Sequence, residues 1–189
     1  MIFFTSDTHF GHDNIIKYCN RPYGSAAAMD FDLIKNWNTT VSESDTIYVL
    51  GDFIWGKDKL KIAGRVRGLN GQIILVRGNH DRDVIYEVEK LIGNPSKFKV
   101  VDYLELKCEG YKFVMSHYPI TSWNGAATGS IDLHGHSHGM IPSTNQQYDV
   151  GVDANNHKYK PISVIDLISN LQKLPDHKFV EVVKKYDNR

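Results

Sequence analysis

The run Gln72-Ile73-Ile74-Leu75-Val76 is apolar and rich in β-branched residues, and it stops abruptly at Arg77-Gly78-Asn79-His80-Asp81. The run has the continuous apolar character of a strand buried on both faces. Its stop has more chemistry than a turn needs. Gly-Asn alone satisfies a β-turn, and His and Asp directly after it serve no turn geometry. The same design recurs upstream. Ile2 to Ser6 ends at Asp7-Thr8-His9, and Thr46-Ile47-Tyr48-Val49-Leu50 ends at Gly51-Asp52.

Helical patterns separate these runs. Phe31, Ile34 and Trp37 recur at three-residue steps and predict an apolar helix face between Ala27 and Asn38. Leu60, Ala63 and Val66 predict a second helix ending at Gly68. A third, Asp83 to Ile92, stops at Gly93-Asn94-Pro95. The order β-α-β-α-β-α implies a parallel sheet with helices packed against it. Beyond Pro95 the chain reads as short strands at Val100-Val101, Tyr103–Cys108, Lys112–Met115, Ile131–Leu133, Tyr148–Val152 and Ile162–Ile165, with a helix from Asp166 to Leu174. Glu109-Gly110 is a hairpin turn signal. The change near Pro95 reads as a change of layer within one domain spanning residues 1–189, since no Pro-, Gly- or Ser-rich linker marks a boundary.

Composition narrows the function. The 189 residues balance 22 Lys+Arg against 22 Asp+Glu, so no bulk positive charge is available for non-specific nucleic-acid binding. Cys19 and Cys108 lie too far apart in sequence for a metal knuckle and are too few for a disulfide framework. No apolar run approaches membrane-spanning length. The first residues have no basic region before the apolar one, and the expectation is a cytoplasmic protein.

Five strand ends bear candidate metal ligands: Asp7-Thr8-His9, Gly51-Asp52, Gly78-Asn79-His80-Asp81, Ser116-His117 and Gly135-His136-Ser137-His138. In an open α/β sheet, ligands bind beyond the carboxyl ends of the strands. Taken singly, Asp7-x-His9 and Gly51-Asp52 are weak, because a strand-end Asp often only caps a turn. Gly135-His136-Ser137-His138 is the strongest local signal: strand alternation places both imidazoles on one face, and the glycine permits close backbone approach. Five such ends in one chain predict one shared polar site. Mixed oxygen and imidazole donors suit Mn, Fe, Ni, Co or Zn better than Mg or Ca.

The five blocks, in this order from Asp7 to His138, resemble the calcineurin-like metallophosphoesterase superfamily, whose pattern is D-x-H, G-D, G-N-H-D/E, H and G-H-x-H. The flanking Ser6-Asp7-Thr8-His9-Phe10-Gly11-His12 and His134-Gly135-His136-Ser137-His138-Gly139 are similar to its small bacterial and phage-type phosphoesterases. The resemblance implies a four-layer αββα sandwich of two mixed β-sheets flanked by helices. It also implies two divalent transition-metal ions, with manganese first among the candidates. Asp7, His9, Asp52 and His138 would hold one ion, and Asp52, Asn79, His117 and His136 the other. A metal-bridging hydroxide would attack phosphorus. His80 would contact the phosphate and protonate the leaving oxygen, and Asp81 could orient the His80 ring.

The expected substrate is a small phosphoester, a phosphodiester in preference to a phosphomonoester, with nucleotide-derived diesters among the candidates. Gly51-Asp52 runs on into Phe53-Ile54-Trp55-Gly56 rather than the Gly-Asp-x-x-Asp-Arg-Gly of the protein phosphatases, which speaks against a phosphoprotein substrate. A non-catalytic protein-binding scaffold of the same fold would lack ligands or the catalytic His, and none is missing. His12 and Arg21 lie near the first block and could bind phosphate or base, although Arg21 beside Pro22 reads equally as an exposed turn. Tyr118, Trp123 and Asn124 offer either a stacking surface or a loop anchor. His134 reads as structural, and His157 and His177 as surface residues.

Overall fold

The computed structural model describes residues 1–178. The first sheet contains β1 (Ile2–Thr5), β2 (Thr46–Val49), β3 (Gln72–Val76) and β4 (Phe98–Val101), all parallel. β9 (Ile162–Ser163) runs antiparallel beside β1, giving the order β4-β3-β2-β1-β9. The second sheet has the order β5-β6-β7-β8, from β5 (Leu104–Cys108), β6 (Tyr111–Met115), β7 (Ile131–His134) and β8 (Gln147–Asp149). β5 and β6 form the expected hairpin; β6-β7 and β7-β8 are parallel. Glu109 and Gly110 at its turn have φ of 50° and 78°, the primed-turn geometry that matches strand twist. Both sheets are therefore mixed, as the αββα reading requires.

Strand alternation splits the core in two. Phe4, Tyr48, Leu50 and Val76 face Phe113, Met115, Leu133 and Tyr148 across the gap between the sheets. Phe3, Ile47, Val49, Ile73 and Leu75 point the other way, into Met29, Leu33, Trp37, Ile62 and Val88 of the helices. Those helices are α1 (Asp13–Tyr18), α2 (Ala26–Thr40), α3 (Lys59–Arg67) and α4 (Val84–Ile92); α5 (Val164–Leu171) adds Leu167 and Leu171 to the inter-sheet core. Each large apolar side chain fully buried here contributes about 1.5–3 kcal/mol. The outer face of the second sheet has a thinner cover, Trp123 and a single 3-10 turn at Ala126–Thr128 packing over Val114.

Several local expectations need correcting. The buried face of α2 is Ala26, Met29, Leu33 and Trp37, whereas Phe31 is exposed. Strict three-residue steps drift around a helix of 3.6 residues per turn, so Phe31 and Trp37 cannot share one narrow face. Leu60 is exposed for the same reason, and α3 buries Ile62, Ala63 and Val66. β4 still belongs to the first sheet, so the chain changes layer after Val101, not at Pro95. The last helix starts at Val164, where Ser163 caps it by accepting from the Asp166 amide, and cuts short the strand expected to reach Ile165.

Candidate metal centre

The parallel strands β1, β2 and β3 deliver Asp7 and His9, Asp52, and Asn79 with His80 just past their carboxyl ends; β6 and β7 deliver His117, and His136 with His138, at theirs. The ligating atoms of Asp7, His9 and His138 lie within 4.8 Å of one another, and so do those of Asp52, His117 and His136. The Asp52 carboxylate stands between the two groups. Its Oδ2 is 3.5 Å from His9 Nε2, and its Oδ1 is 3.5 Å from His117 Nε2. Asn79 Oδ1 lies 2.9 Å from the same His117 nitrogen. All seven expected ligands therefore converge, as two sets that share a carboxylate.

The backbone is contorted to achieve this. Asp7, His9, Asp52, His136 and His138 have φ of 56°, 50°, 51°, 65° and 47°, the left-handed region that costs a non-glycine residue on the order of 1–3 kcal/mol at functional sites. Gly135-His136-Ser137-His138 is thus a tight turn beyond β7 and not a continuation of the strand. Strand alternation is not what aims its imidazoles. The turn sends them to different donor sets, His136 to that of Asp52 and His138 to that of Asp7. Glycines make the close approach possible. A Cβ on Gly135 would collide with Ser6 Oγ and Asp7 Oδ2, and one on Gly78 with the Asp52 carboxylate. The His136 amide donates to Asp7 Oδ2 at 3.0 Å, tying the last block to the first.

Three of the candidate ligand imidazoles have hydrogen-bond partners behind them. His117 Nδ1 is 2.8 Å from the Leu50 carbonyl, His138 Nδ1 is 2.8 Å from Asp153 Oδ2, and His9 Nδ1 is 3.3 Å from His12 Nδ1. Partners at Nδ1 leave each Nε2 free to face the centre. His9 Nε2 is buried and has no hydrogen-bond partner. Burial, reinforced by the Arg21, His138, His12 and His80 charges, lowers the His9 pKa to about 2, so its ring is neutral with a lone pair available. Burial lowers the pKa of His117 as well. The Asp7 carboxyl is pushed well above the usual range, first by burial and then by Asp149 and Asp52, with His138 opposing. Burial disfavours a charged His138, yet hydrogen bonds with Asp153 and Cys19 and the Asp7 charge raise its pKa to about 10. An orphaned imidazole nitrogen beside desolvated carboxylates is what a site built around cations leaves when only its protein groups are present. The N/O donor set fits borderline divalent transition metals. Cys19, His138 and Asp153 form a third grouping, but Asp153 is already held by Arg21.

A calcineurin-like phosphoesterase family model matches residues 1–185. The chain belongs to this family. An uncharacterized protein of Methanocaldococcus jannaschii is 41% identical, with 90% of each chain covered. The gene 66 protein of Mycobacterium phage L5 is 28% identical over 89% of this chain and 94% of its own. Among solved structures, a protein of unknown function from Aquifex aeolicus superimposes with a TM-score of 0.67 at 26% identity, covering 90% of this chain and 98% of the other. An archaeal phosphodiesterase superimposes with a TM-score of 0.51 at 16% identity, covering 85% and 96%, and shares the fold.

Around the candidate centre, the remaining candidates sort differently from their sequence reading. Arg21 is not an exposed turn, and its guanidinium is engaged by protein groups. Its side chain is fully buried, with Nε 2.9 Å and Nη2 2.6 Å from the two Asp153 oxygens. It also donates to the Asp7 and Thr8 carbonyls. Asp81 does not orient the His80 ring: its carboxylate accepts from the Phe53, Ile54 and Gly78 amides. It pins the turn that presents Asn79 and His80. Burial and the nearby Asp52 raise its pKa to about 6, against the pull of those amides. His12 is buried and stacks flat on Trp55, centroids 4.0 Å apart and planes within 5°. His80 is partly exposed, 3.8 Å from Asp52 Oδ2 and 5.3 Å from the Trp55 ring.

Trp123 is buried, donates to the Ser130 carbonyl and anchors its loop, while Tyr118 packs on His117 and His136. His134 is buried, consistent with a structural role. His157 is not a surface residue: it bridges the Gly151 carbonyl and the Tyr148 hydroxyl. His177 is half-buried, against Thr144. Asp149 and Asp153 escaped the sequence reading. Asp149 Oδ2 accepts from Ser137 Oγ and the Gly139 amide, fixing the His136–His138 turn. The alternation Asp149-Val150-Gly151-Val152-Asp153 is the signal that could have found them, since it sets one carboxylate at the end of β8 and another just beyond it. No helix among the described residues is long and apolar enough to cross a membrane.

Proposed function

We propose that this protein hydrolyses a phosphodiester with the help of two divalent transition-metal ions. The observation supporting the reading is the pair of donor sets meeting at Asp52, with His80 beside them and partly open to solvent. Asp7, His9, His138 and Asp52 would hold one ion, and Asp52, Asn79, His117 and His136 the other. Manganese leads the candidates, followed by Ni, Co, Fe and Zn. Bound there, the ions would supply Lewis acidity, lowering the pKa of a water and neutralising phosphoryl oxygens. The protein groups do the rest. His12 sets the tautomer of His9, Asp153 and Leu50 hold the rings of His138 and His117, and Asp81 fixes the turn that places His80. His80 donates a proton to the departing oxygen, help typically worth about 10²–10⁴-fold.

Charge favours the diester. Two carboxylates against two divalent ions leave a net +2, and with a hydroxide present +1, which matches a singly charged diester. A monoester dianion calls for a further fixed cation. The candidate named from sequence, Arg21, is committed to Asp153 and two carbonyls, and among the described residues no Lys or Arg lines the cleft beside His80. The test is turnover of bis(p-nitrophenyl) phosphate against p-nitrophenyl phosphate by manganese-loaded protein. Diester turnover should at least equal monoester turnover; a tenfold excess on the monoester would overturn the diester assignment.

A further inference from the structure

A cleft of about 750 Å³ opens beside the candidate metal centre. It shares His9, His80 and His138 with the centre, but not Asn79, His117 or His136, so it leaves the site on one side only. That side is the one where His80 stands. The outer wall is apolar and aromatic: Trp55, Tyr18 and Met140, of which Tyr18 is 75% and Met140 81% exposed. Large apolar side chains so exposed are uncommon in a single cluster and mark a binding surface. Between them lie Asn14 and Asn20, whose side-chain amides take no hydrogen-bond partner among the described residues. Trp55 is covered on one face by His12, with the Arg82 guanidinium 5.6 Å over its ring. Of the aromatic rings lining the cleft Tyr18 is the most exposed; it touches His12 through an edge contact, centroids 6.5 Å apart.

We propose that this cleft is the leaving-group subsite, and that it takes an uncharged nucleoside-like alcohol, its base stacked on Tyr18 and its polar edge read by Asn14 and Asn20. The assignment rests on the phosphodiesterase reading above. An aromatic platform with unpaired amides suits a flat heterocycle bearing donors and acceptors on its rim. Among the described residues no Lys or Arg lines the cleft itself, Arg82 standing over Trp55, which disfavours a leaving group with its own phosphate. In the reaction, the oxygen of water forms the new bond to phosphorus and its proton passes to solvent base. The bond from phosphorus to the cleft alcohol breaks, its electron pair stays on the alcohol oxygen, and His80 supplies the proton that oxygen needs.

The methyl ester of adenosine 5′-monophosphate tests this within one substrate, because the two alcohols compete as leaving group. Departure of the nucleoside yields methyl phosphate; departure of the other side yields methanol. Their ratio at early times is independent of metal loading. Native manganese-loaded protein should form methyl phosphate in at least about tenfold excess. Tyr18→Ala and Asn14→Ala, both at exposed positions, should each lower the ratio several-fold. A native ratio near or below one, or a ratio that both variants leave unchanged, overturns the subsite if bis(p-nitrophenyl) phosphate is turned over normally. If neither diester is hydrolysed, the phosphodiesterase reading fails and the subsite falls with it.

Discussion

Replacing Arg21 with Gln gives the sharpest contrast between a substrate ligand and a buried strut. The native side chain makes a two-pronged pair with Asp153 at 2.9 and 2.6 Å and donates to the Asp7 and Thr8 carbonyls at 2.7 and 3.1 Å. None of it is exposed. Removing one partner of a buried pair leaves the other charge uncompensated, at a cost of about 3–5 kcal/mol. Against a typical stability of about 5–15 kcal/mol, that is a large loss. Asp153 also positions His138, so manganese affinity should fall together with stability. The assay is equilibrium urea unfolding in the presence of chelator, run on Arg21→Gln, Asp153→Asn and the double variant. The double variant should lose at least about 1.5 kcal/mol less than the sum of the singles, the mark of a direct interaction. A destabilisation below about 1 kcal/mol, accompanied by a raised KM, would refute this reasoning and return Arg21 to the substrate.

Other perturbations probe different parts of the account. The fully buried Asp132 carboxyl has its pKa raised to about 6, first by burial, with Gln147, His134 and the Ile120 amide opposing. A raised carboxyl pKa contributes stability that is fully present below about pH 4 and lost as pH rises through 6. Asp132→Asn should therefore lose up to about 3 kcal/mol less than native protein between pH 4 and 7 in chelator; parallel pH profiles would contradict the shift. His12→Phe keeps an aromatic ring against Trp55 but removes the nitrogen facing His9, and manganese affinity by calorimetry should drop about 10–100-fold. Unchanged affinity with a raised KM would make His12 a substrate residue instead. Gly135→Ala should cost about 1–3 kcal/mol by overpacking against Ser6 and Asp7, and should also weaken metal binding; a stable variant with native affinity would show that the turn can yield.

The three parallel strands and their ligand-bearing ends are legible in the sequence because two local rules coincide there: continuous apolar runs for strands covered on both faces, and chemistry placed at their carboxyl ends. What escapes the sequence is set by contacts distant along the chain. Arg21 meets Asp153 across 132 positions, and nothing near Arg21 announces it. Phe31 and Leu60 fit a spacing rule but lie on the wrong side of their helices. The Gly135–His138 segment looks strand-like by alternation, yet Asp149 and Asp7 hold it in a left-handed turn. Trp55 lies three positions after Asp52 with no local signal of a role, and the fold stacks it on His12 at the cleft wall.

The central claim is that Asp52 joins two metal sites and that His80 belongs to neither. Elemental analysis of manganese-loaded native, Asp52→Asn and His80→Asn proteins tests it most directly. The account predicts two ions per chain in native protein, fewer than two in Asp52→Asn, and two in His80→Asn despite its loss of turnover. One ion or none in active native protein, or loss of metal from His80→Asn, would contradict it.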